Sequence, residues 1–205
     1  MNAEKKHRIG IMGGTYNPIH LGHIRSALKA RKYLCLDKLF IIPASTPPHK
    51  EFARDISDSD RLETVRLAFK GKKNIEVSDI ELLRKGKSYS IDTVLHFRSI
   101  YPDSELFLII GTDMLLSFEQ WYRFTEILEK VTLTVIPRHS EDIPKLKEHS
   151  AYMQKLYGAS IRILNLKPFD ISSTQIRQSL KNREDVSDLL DCRVYSYILE
   201  RGLYL

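Results

Sequence analysis

Residues 8–34 read RIGIMGGTYNPIHLGHIRSALKARKYL, and this stretch decides the fold. It opens with a short apolar run, Arg8 to Met12, which is typical of a buried strand. From Ile24 to Leu34 the apolar residues instead recur at helical spacing. Between the two lies the segment Gly13 to His23, here called the signature loop. This order of strand, loop and helix predicts a βα unit whose loop lies at the carboxyl end of the strand.

The same alternation of strand and helix patterns continues along the chain. It predicts βαβ units with right-handed crossovers, and therefore a Rossmann-like, doubly wound α/β fold with a mostly parallel sheet covered by helices on both faces. The six expected strands are Arg8 to Met12, Lys38 to Ile42, Ile75 to Ile80, Glu105 to Ile110, Val131 to Ile136 and Ile161 to Leu166.

Two of the expected helices rest on particular patterns. Asp60 and Glu63 have the spacing of a capping box ahead of an apolar stripe. Trp121 shares helical spacing with Phe124 and Leu128, which predicts one helix that contains all three.

The length and composition indicate one globular unit. The chain has 205 residues, of which 42% are hydrophobic and 28% charged. We expect a single domain over 1–205, with an α/β core over 1–172 and a small C-terminal helical extension over 173–205. Gly202 is the expected stop of the last helix.

The net charge of +6 suits a polyanionic partner, but lysine and arginine are spread along the chain. A phosphate pocket explains this balance, and no nucleic-acid-binding motif accompanies the charge. Cys35 and Cys192 form no CxxC pattern, which favours a reducing compartment. Because the N-terminus has no signal-peptide core and no apolar stretch approaches the length of a membrane span, we expect a cytoplasmic protein with no membrane partner.

The signature loop holds the residues with the clearest chemistry. Gly13 and Gly14 permit a close backbone approach to a phosphate, and Gly22 removes a side chain where a nucleotide could lie. His20 and His23 are three residues apart and would project from one face of the first helical turn. Two imidazoles beside the free N–H groups of a helix start form a site for phosphate oxygens.

Plainer interpretations exist for each part of the loop. A glycine pair after a strand is often only a tight turn, and a zinc pair of histidines would need a third ligand that is not evident nearby. The spacing of Gly10, Gly13 and Gly14 differs from the GxGxxG fingerprint of dinucleotide-binding proteins. Glu81 stands where a Walker loop ending in Gly86-Lys87-Ser88 needs a glycine.

The signature loop resembles the HxGH motif of the nucleotidyltransferase superfamily. Other segments resemble bacterial nicotinate-nucleotide adenylyltransferases, in the same order and over nearly the whole chain. The resemblance implies that ATP and nicotinate mononucleotide react to give nicotinate adenine dinucleotide and pyrophosphate. It also implies that Mg²⁺ accompanies the triphosphate without ligands from protein side chains. The matching segments are Pro43 with Pro47 to Lys50, Asp79 to Thr93, Gly111 to Asp113 with Trp121, Ile171 to Arg177, and Val194 to Tyr204.

The resemblance makes His20, His23 and Arg177 the catalytic residues. The histidines would hold the ATP phosphates and stabilise the transition state, and Arg177 would neutralise the departing pyrophosphate. Neither histidine needs to act as a base, because a phosphate nucleophile is already ionised at neutral pH. The residues expected to line the ATP site are Gly13, Gly14, Thr15, Gly22, Gly111, Asp113, Ile171, Ser172, Ser173 and Thr174.

The mononucleotide site follows from the same resemblance. Trp121 would stack on the pyridine ring, and N–H groups near Tyr122 and Tyr89 would receive the carboxylate. The plainer alternatives are core packing for Trp121 and helix capping for Asp92 and Asp113. The full expected set is Asn17, His49, Lys50, Tyr89, Ser90, Asp92, Thr93, Trp121, Tyr122 and Arg138.

Two departures from the family pattern and two alternative functions stay open. Arg138-His139-Ser140 stands where many members have Arg-Pro-Gly, and Ser90 stands where threonine is common. The nearest alternative is another nucleotidyltransferase with the same loop, such as a phosphopantetheine adenylyltransferase or a cytidylyltransferase, and Trp121 argues against it. A nucleic-acid-binding module is supported by the charge alone. The oligomeric state, including a homo-oligomer, is left open.

Overall fold

The computed structural model describes residues 6–45, 56–84, 88–165 and 171–205. The strands within these residues are β1 Arg8–Gly14, β2 Lys38–Pro43, β3 Ile75–Val77, β4 Glu105–Gly111, β5 Thr132–Ile136 and β6 Ile161–Ile163. They form one sheet in the order β3-β2-β1-β4-β5-β6, and all neighbouring pairs run parallel. This is the strand order of doubly wound nucleotide-binding folds, so the predicted α/β fold is confirmed.

Helices connect these strands and cover both faces of the sheet. Those in the described residues are α1 Leu21–Tyr33, α2 Asp58–Phe69, α3 Ile80–Leu83, α4 Ser90–Ile100, α5 Thr112–Leu116, α6 Phe124–Lys130, α7 Asp142–Tyr157, α8 Ser173–Lys181 and α9 Cys192–Glu200, with a short 3-10 helix at Phe118–Gln120. None of them combines the length and the apolar character that crossing a bilayer would require.

The core has two halves, one on each face of the sheet. Successive residues of a strand point to opposite faces, so β4 sends Phe107 and Ile109 to one half and Leu106 and Leu108 to the other. Buried residues of α1, α2, α8 and α9 complete the first half, and those of α4, α6 and α7 complete the second. Because both faces are covered, the strands read as nearly continuous apolar runs.

The start of α2 and the end of β3 differ from the sequence prediction. Ser57 caps α2, and its hydroxyl accepts a hydrogen bond from the backbone N–H of Asp60 at 3.1 Å. The predicted capping box at Asp60 was wrong because Asp60 lies inside the first turn. The ladder between β2 and β3 ends at Val77, and Ile80 begins α3 instead of ending a strand.

The expected helix through Trp121 was also wrong. Trp121 follows the 3-10 helix, and α6 begins only at Phe124. Arg123 has a left-handed backbone with φ 54°, which breaks the helical periodicity between the two residues. The last strand is likewise shorter than expected, since β6 ends at Ile163. Leu166, where it was predicted to end, lies outside the described residues.

The topology places the site at the point where the connections from β1 and β4 leave the sheet in opposite directions. In an open parallel sheet the crevice between two such strands opens at their carboxyl ends. β1 ends at Gly14 and β4 at Gly111. The C-terminal extension is helical as expected, and Gly202 follows the end of α9 with φ 60°.

Candidate functional site

His20 and His23 lie at the N-terminus of α1. His20 is the N-cap, with an extended backbone (φ −140°, ψ 172°), and His23 lies in the first turn. Their rings stack with centroids 3.7 Å apart, so the two histidines share one face as their spacing predicts. The backbone N–H of His20 donates to Nδ1 of His23 at 3.3 Å. Because Nδ1 accepts, the proton of a neutral His23 ring is on Nε2, which is then the donor available to a ligand.

Both imidazoles are neutral at pH 7. Burial lowers the pKa of His20 to about 4, and the positive charge of Arg138 contributes in the same direction. Burial also holds the pKa of His23 well below its ordinary value, with smaller contributions from His20 and Arg138. His20 is only 6% exposed. Each neutral ring keeps one N–H group that can donate a hydrogen bond to an anion.

Two glycines of the signature loop make room for its own rings. A Cβ at Gly22 would lie 3.0 Å from two atoms of the His20 ring, and one at Gly14 would lie 2.7 Å from the ring of Tyr16. A Cβ at Gly13 would come no closer than 4.0 Å to the carbonyl of Ile42. Gly22 therefore leaves room for the His20 ring, in addition to any room that it leaves for a nucleotide.

Three carbonyls of the signature loop accept hydrogen bonds from side chains of distant elements. The Thr15 carbonyl accepts from Arg61 of α2 at 2.7 Å. The Asn17 carbonyl accepts from Arg177 of α8 at 2.7 Å. The Pro18 carbonyl accepts from the Ser173 hydroxyl at 2.9 Å. With their carbonyl oxygens occupied, these residues are fixed in place before a ligand arrives.

The start of α8 forms the wall next to the loop. Ser172 is the N-cap of this helix, and the Thr174 hydroxyl accepts from Arg177 at 3.3 Å. Ile171 lies close to Gly22, because its Cβ would be 3.6 Å from a Cβ at that position. The predicted ATP segment at 171–177 and the signature loop are thus brought together, although Arg177 and Asn17 are 160 positions apart in sequence.

The opposite wall is formed where β4 and β5 end. Arg138 and Asp113 form an ion pair at 3.1 Å whose side chains are 64% and 77% exposed. The Thr112 hydroxyl accepts from the backbone N–H of Arg138 and donates to Asp142, which also accepts from the N–H of His139. Asp142 therefore shapes the loop that departs from the family pattern. Gly111, and not Asp113, is the N-cap of α5, so the capping alternative for Asp113 was wrong.

Three aromatic residues, Tyr89, Trp121 and Tyr122, form what we call the aromatic wall. The rings of Tyr89 and Tyr122 are 4.7 Å apart between centroids. Trp121 is partly buried and packs on Phe118 with ring centroids 4.8 Å apart. Tyr122 is 57% exposed. The plainer interpretation of Trp121 as a packing residue is thus partly right, and its use as a stacking surface stays a prediction.

Of the other residues predicted to bind the mononucleotide, three lie in α4 and two lie outside the described residues. Ser90 and Asp92 lie in the first turn of α4, and both are partly exposed. Thr93 is only 2% exposed, and its hydroxyl donates to Glu81 and accepts from Arg84. That hydroxyl serves the packing of α3 against α4, so a contact with the ligand stays a prediction. His49 and Lys50 lie outside the described residues.

Sequence reasoning missed several residues that hold the loop, and Arg61 is the clearest. It is 2% exposed and pairs with Asp58 as well as with the loop. A signal existed, because Arg61 lies on the same helical stripe as the buried Val65 and Ala68. An arginine on an apolar stripe needs a buried partner.

The side chains at the site can donate hydrogen bonds to phosphate oxygens. Within the described ranges, no group of three or more histidine, cysteine, aspartate and glutamate side chains could hold a metal ion. The signature loop carries two neutral imidazoles, the guanidinium of Arg177 donates to its Asn17 carbonyl, and the charge of Arg138 acts on both imidazoles. Guanidinium groups and N–H donors recognise phosphate directly.

Comparison with known proteins gives consistent matches. The profile of the Cytidylyltransferase-like family matches residues 11–179. A Clostridium botulinum (strain Alaska E43 / Type E3) protein described as a probable nicotinate-nucleotide adenylyltransferase is 39% identical over 197 residues, which cover 96% of this chain and 98% of the relative. A Listeria monocytogenes (serotype 4b, strain F2365) protein with the same description is 36% identical over 199 residues, which cover 97% of this chain and 98% of the relative.

Solved structures match in fold. The Plasmodium falciparum nicotinic acid mononucleotide adenylyltransferase complexed with NaAD superimposes with a TM-score of 0.77 at 16% identity, and the match covers 97% of each chain. A second structure of that enzyme, complexed with APC, gives a TM-score of 0.74 at 17% identity over the same shares. At such low identity these matches support the architecture of the sheet and its helices.

Proposed function

This chain belongs to the nicotinate-nucleotide adenylyltransferase family among the cytidylyltransferase-like proteins, and from that premise we propose how its site joins ATP to nicotinate mononucleotide. The products are nicotinate adenine dinucleotide and pyrophosphate, which makes the enzyme part of NAD biosynthesis. One observation carries the proposal. Two stacked, neutral imidazoles lie at the start of α1, beside Arg177, at the point of the sheet where nucleotides bind.

The reaction needs positioning and charge stabilisation. A phosphate oxygen of the mononucleotide attacks the α-phosphorus of ATP in line, a new P–O bond forms, and the bond to the β-phosphate oxygen breaks with release of pyrophosphate. His23 donates from Nε2, and His20 donates from its own ring, to phosphate oxygens that gain charge in the transition state. Arg177 binds the departing pyrophosphate.

The mononucleotide occupies the side of the crevice next to the aromatic wall. Trp121 lies at the edge of that wall with part of its indole exposed, and a pyridine ring can stack there. The main-chain N–H groups at the start of α4, near Tyr89 and Ser90, receive the carboxylate of the ring. An amide in place of the carboxylate would bind less well because it carries no charge.

The ATP phosphates, and not protein side chains, would hold Mg²⁺ at this site. When bound, it neutralises charge on the β- and γ-phosphate oxygens. Asp113, the carboxylate predicted for the ATP site, is already paired with Arg138 and is largely exposed. We therefore assign the protein side chains to the phosphates and not to the metal ion.

The two cysteines are free and exposed, which suits a reducing compartment. Adenylyl transfer to a mononucleotide also draws on the ATP of the cell interior. We therefore place the reaction in the cytoplasm.

A direct assay tests the proposal. The purified protein is incubated with Mg-ATP and, in separate reactions, with nicotinate mononucleotide, nicotinamide mononucleotide and phosphopantetheine, and with CTP in place of ATP. Pyrophosphate release and the adenylylated product are measured. We expect the fastest reaction with ATP and nicotinate mononucleotide. Faster transfer to phosphopantetheine, or with CTP, would assign the chain to another branch of the superfamily.

A further inference from the structure

The C-terminal segment reaches back to the signature loop. After α9 the chain turns at Gly202, which has φ 60°, and ends beside the loop near the start of α1. A second contact lies nearby, where the backbone N–H of Leu21 donates to the carbonyl of Leu189 at 2.9 Å. The extension therefore borders the loop that carries both histidines.

The closest link is a hydrogen bond between two buried side chains. The Tyr204 hydroxyl donates to Oδ1 of Asn17 at 2.6 Å, across 187 positions of sequence. Tyr204 is 4% exposed and Asn17 is 6% exposed. A hydrogen bond shielded from water in this way is stronger than one at the surface, and loss of one partner leaves the other unsatisfied.

The backbone conformation of Tyr204 indicates that the surrounding contacts hold this residue in place. Its φ is 66°, in the left-handed region that a bulky residue rarely occupies. Such a conformation persists where the surrounding contacts fix it. The contacts of Tyr204 with Asn17 and with the core of the extension supply that constraint.

Asn17 connects the hydrogen bond from Tyr204 to the catalytic residues. Its side chain is fixed by Tyr204, and its carbonyl accepts from Arg177 at 2.7 Å. His20 follows Asn17 by three residues and caps α1. A shift of Asn17 would thus move both the guanidinium and the first imidazole.

We propose that Tyr204 is a positioning residue, which acts through Asn17 to hold the signature loop in the geometry that adenylyl transfer needs. The inference rests on the proposed function and adds to it a residue near the end of the chain. The hydroxyl proton of Tyr204 is committed to Asn17, and the residue is only 4% exposed, so we assign Tyr204 to fixing the loop and not to contact with a reacting atom.

The first test is the full-length Tyr204→Phe variant, which removes one oxygen atom and keeps the ring. We expect kcat to fall about tenfold, because the loop loses a buried hydrogen bond that orders it. The matched control is Tyr197→Phe. Tyr197 lies in the same extension and donates to Asp60 of α2 at 2.8 Å instead of to the loop. The Tyr197→Phe variant should lose about as much folding stability as Tyr204→Phe and keep the kcat of the wild type.

A double-mutant cycle separates positioning from general stability. Tyr204→Phe should have no further effect on kcat in an Asn17→Ala background, because the partner through which it acts is gone. An equal loss of kcat in both backgrounds, or a wild-type kcat for Tyr204→Phe, would overturn the proposal.

An NMR measurement keeps this test independent of activity. The imidazole signals of His20 are compared in the wild type, Tyr204→Phe and Tyr197→Phe, without substrate. We expect a change in Tyr204→Phe alone, and unchanged His20 signals would overturn the proposal. If the wild type shows no adenylyl transfer, the proposed function fails, and the NMR result still decides whether Tyr204 positions the loop.

Discussion

The signature loop and the aromatic wall lie at the same edge of the sheet, yet they are held by different means. The loop is fixed by the buried Arg61 of α2 and the partly buried Arg177 of α8, which donate to its main-chain carbonyls. The aromatic wall is held by two ring pairs, Tyr89 with Tyr122 and Trp121 with Phe118, and part of it is exposed. Main-chain anchoring leaves a segment few alternative positions, whereas ring packing permits small adjustments.

This difference matches the two tasks of the site. Transfer of the adenylyl group needs the phosphates in one geometry, so the loop is ordered before the ligand arrives. Recognition of the pyridine ring needs an apolar surface, and the side chains of that surface can adjust when the ligand binds. Changes in the loop should therefore lower kcat, and changes in the aromatic wall should raise the KM of the mononucleotide.

Replacement of a signature histidine should have the largest effect. His20→Ala or His23→Ala is expected to lower kcat by about 10²–10³, the usual loss when one transition-state donor is removed. Folding should be nearly unchanged. Steady-state kinetics and thermal unfolding are the measurements, with the exposed His96→Ala as the control. A variant with kcat within twofold of the wild type would remove that histidine from the mechanism.

Loss of Arg61 should weaken the anchoring of the loop from α2. Arg61→Ala leaves the carbonyl of Thr15 without its donor, and we expect the free energy of unfolding to fall by about 1–3 kcal/mol, with a lower kcat. Urea denaturation measures the first quantity. Arg66→Ala is the control, because Arg66 is on the same helix and pairs with Asp79 near the surface. Equal, small losses for both variants would show that Arg61 does not anchor the loop.

Loss of the Trp121 indole should affect the aromatic wall, and its effect should be the smallest of these three. Trp121→Ala is expected to raise the KM of nicotinate mononucleotide about tenfold, the scale of one stacking contact, with little change in the KM of ATP. Trp121→Phe should recover part of the affinity. If both KM values rose equally, the aromatic wall would not be specific to the mononucleotide. The signature loop and the aromatic wall would then not have separate tasks.

Much of the fold followed from the sequence because its signals are local. The strands alternate with helices in strict order, and a parallel sheet buried on both faces leaves continuous apolar runs such as residues 106–110 of β4. Errors arose where one residue changes the backbone. The left-handed Arg123 separates Trp121 from α6, and Ser78 and Asp79 end β3 before the predicted limit.

The histidine pair could be predicted because three residues of spacing determine which side chains share a helical face. The anchors of the loop could not be predicted in the same way. Arg61 gave only an indirect signal, and Tyr204 gave none, because its partner is 187 positions away and tertiary packing alone brings them together.

We infer that His20 and His23 bind the phosphates of ATP as a pair of neutral imidazoles. An NMR titration of both rings, with and without Mg-ATP, tests it most directly. In the free protein we predict that His20 stays neutral down to about pH 4 and that His23 also titrates well below its ordinary range. Bound phosphates favour the charged imidazolium, so Mg-ATP should raise both pKa values and shift both signals. Ordinary pKa values near 6.5 in the free protein, together with signals that Mg-ATP leaves unchanged, would contradict the account.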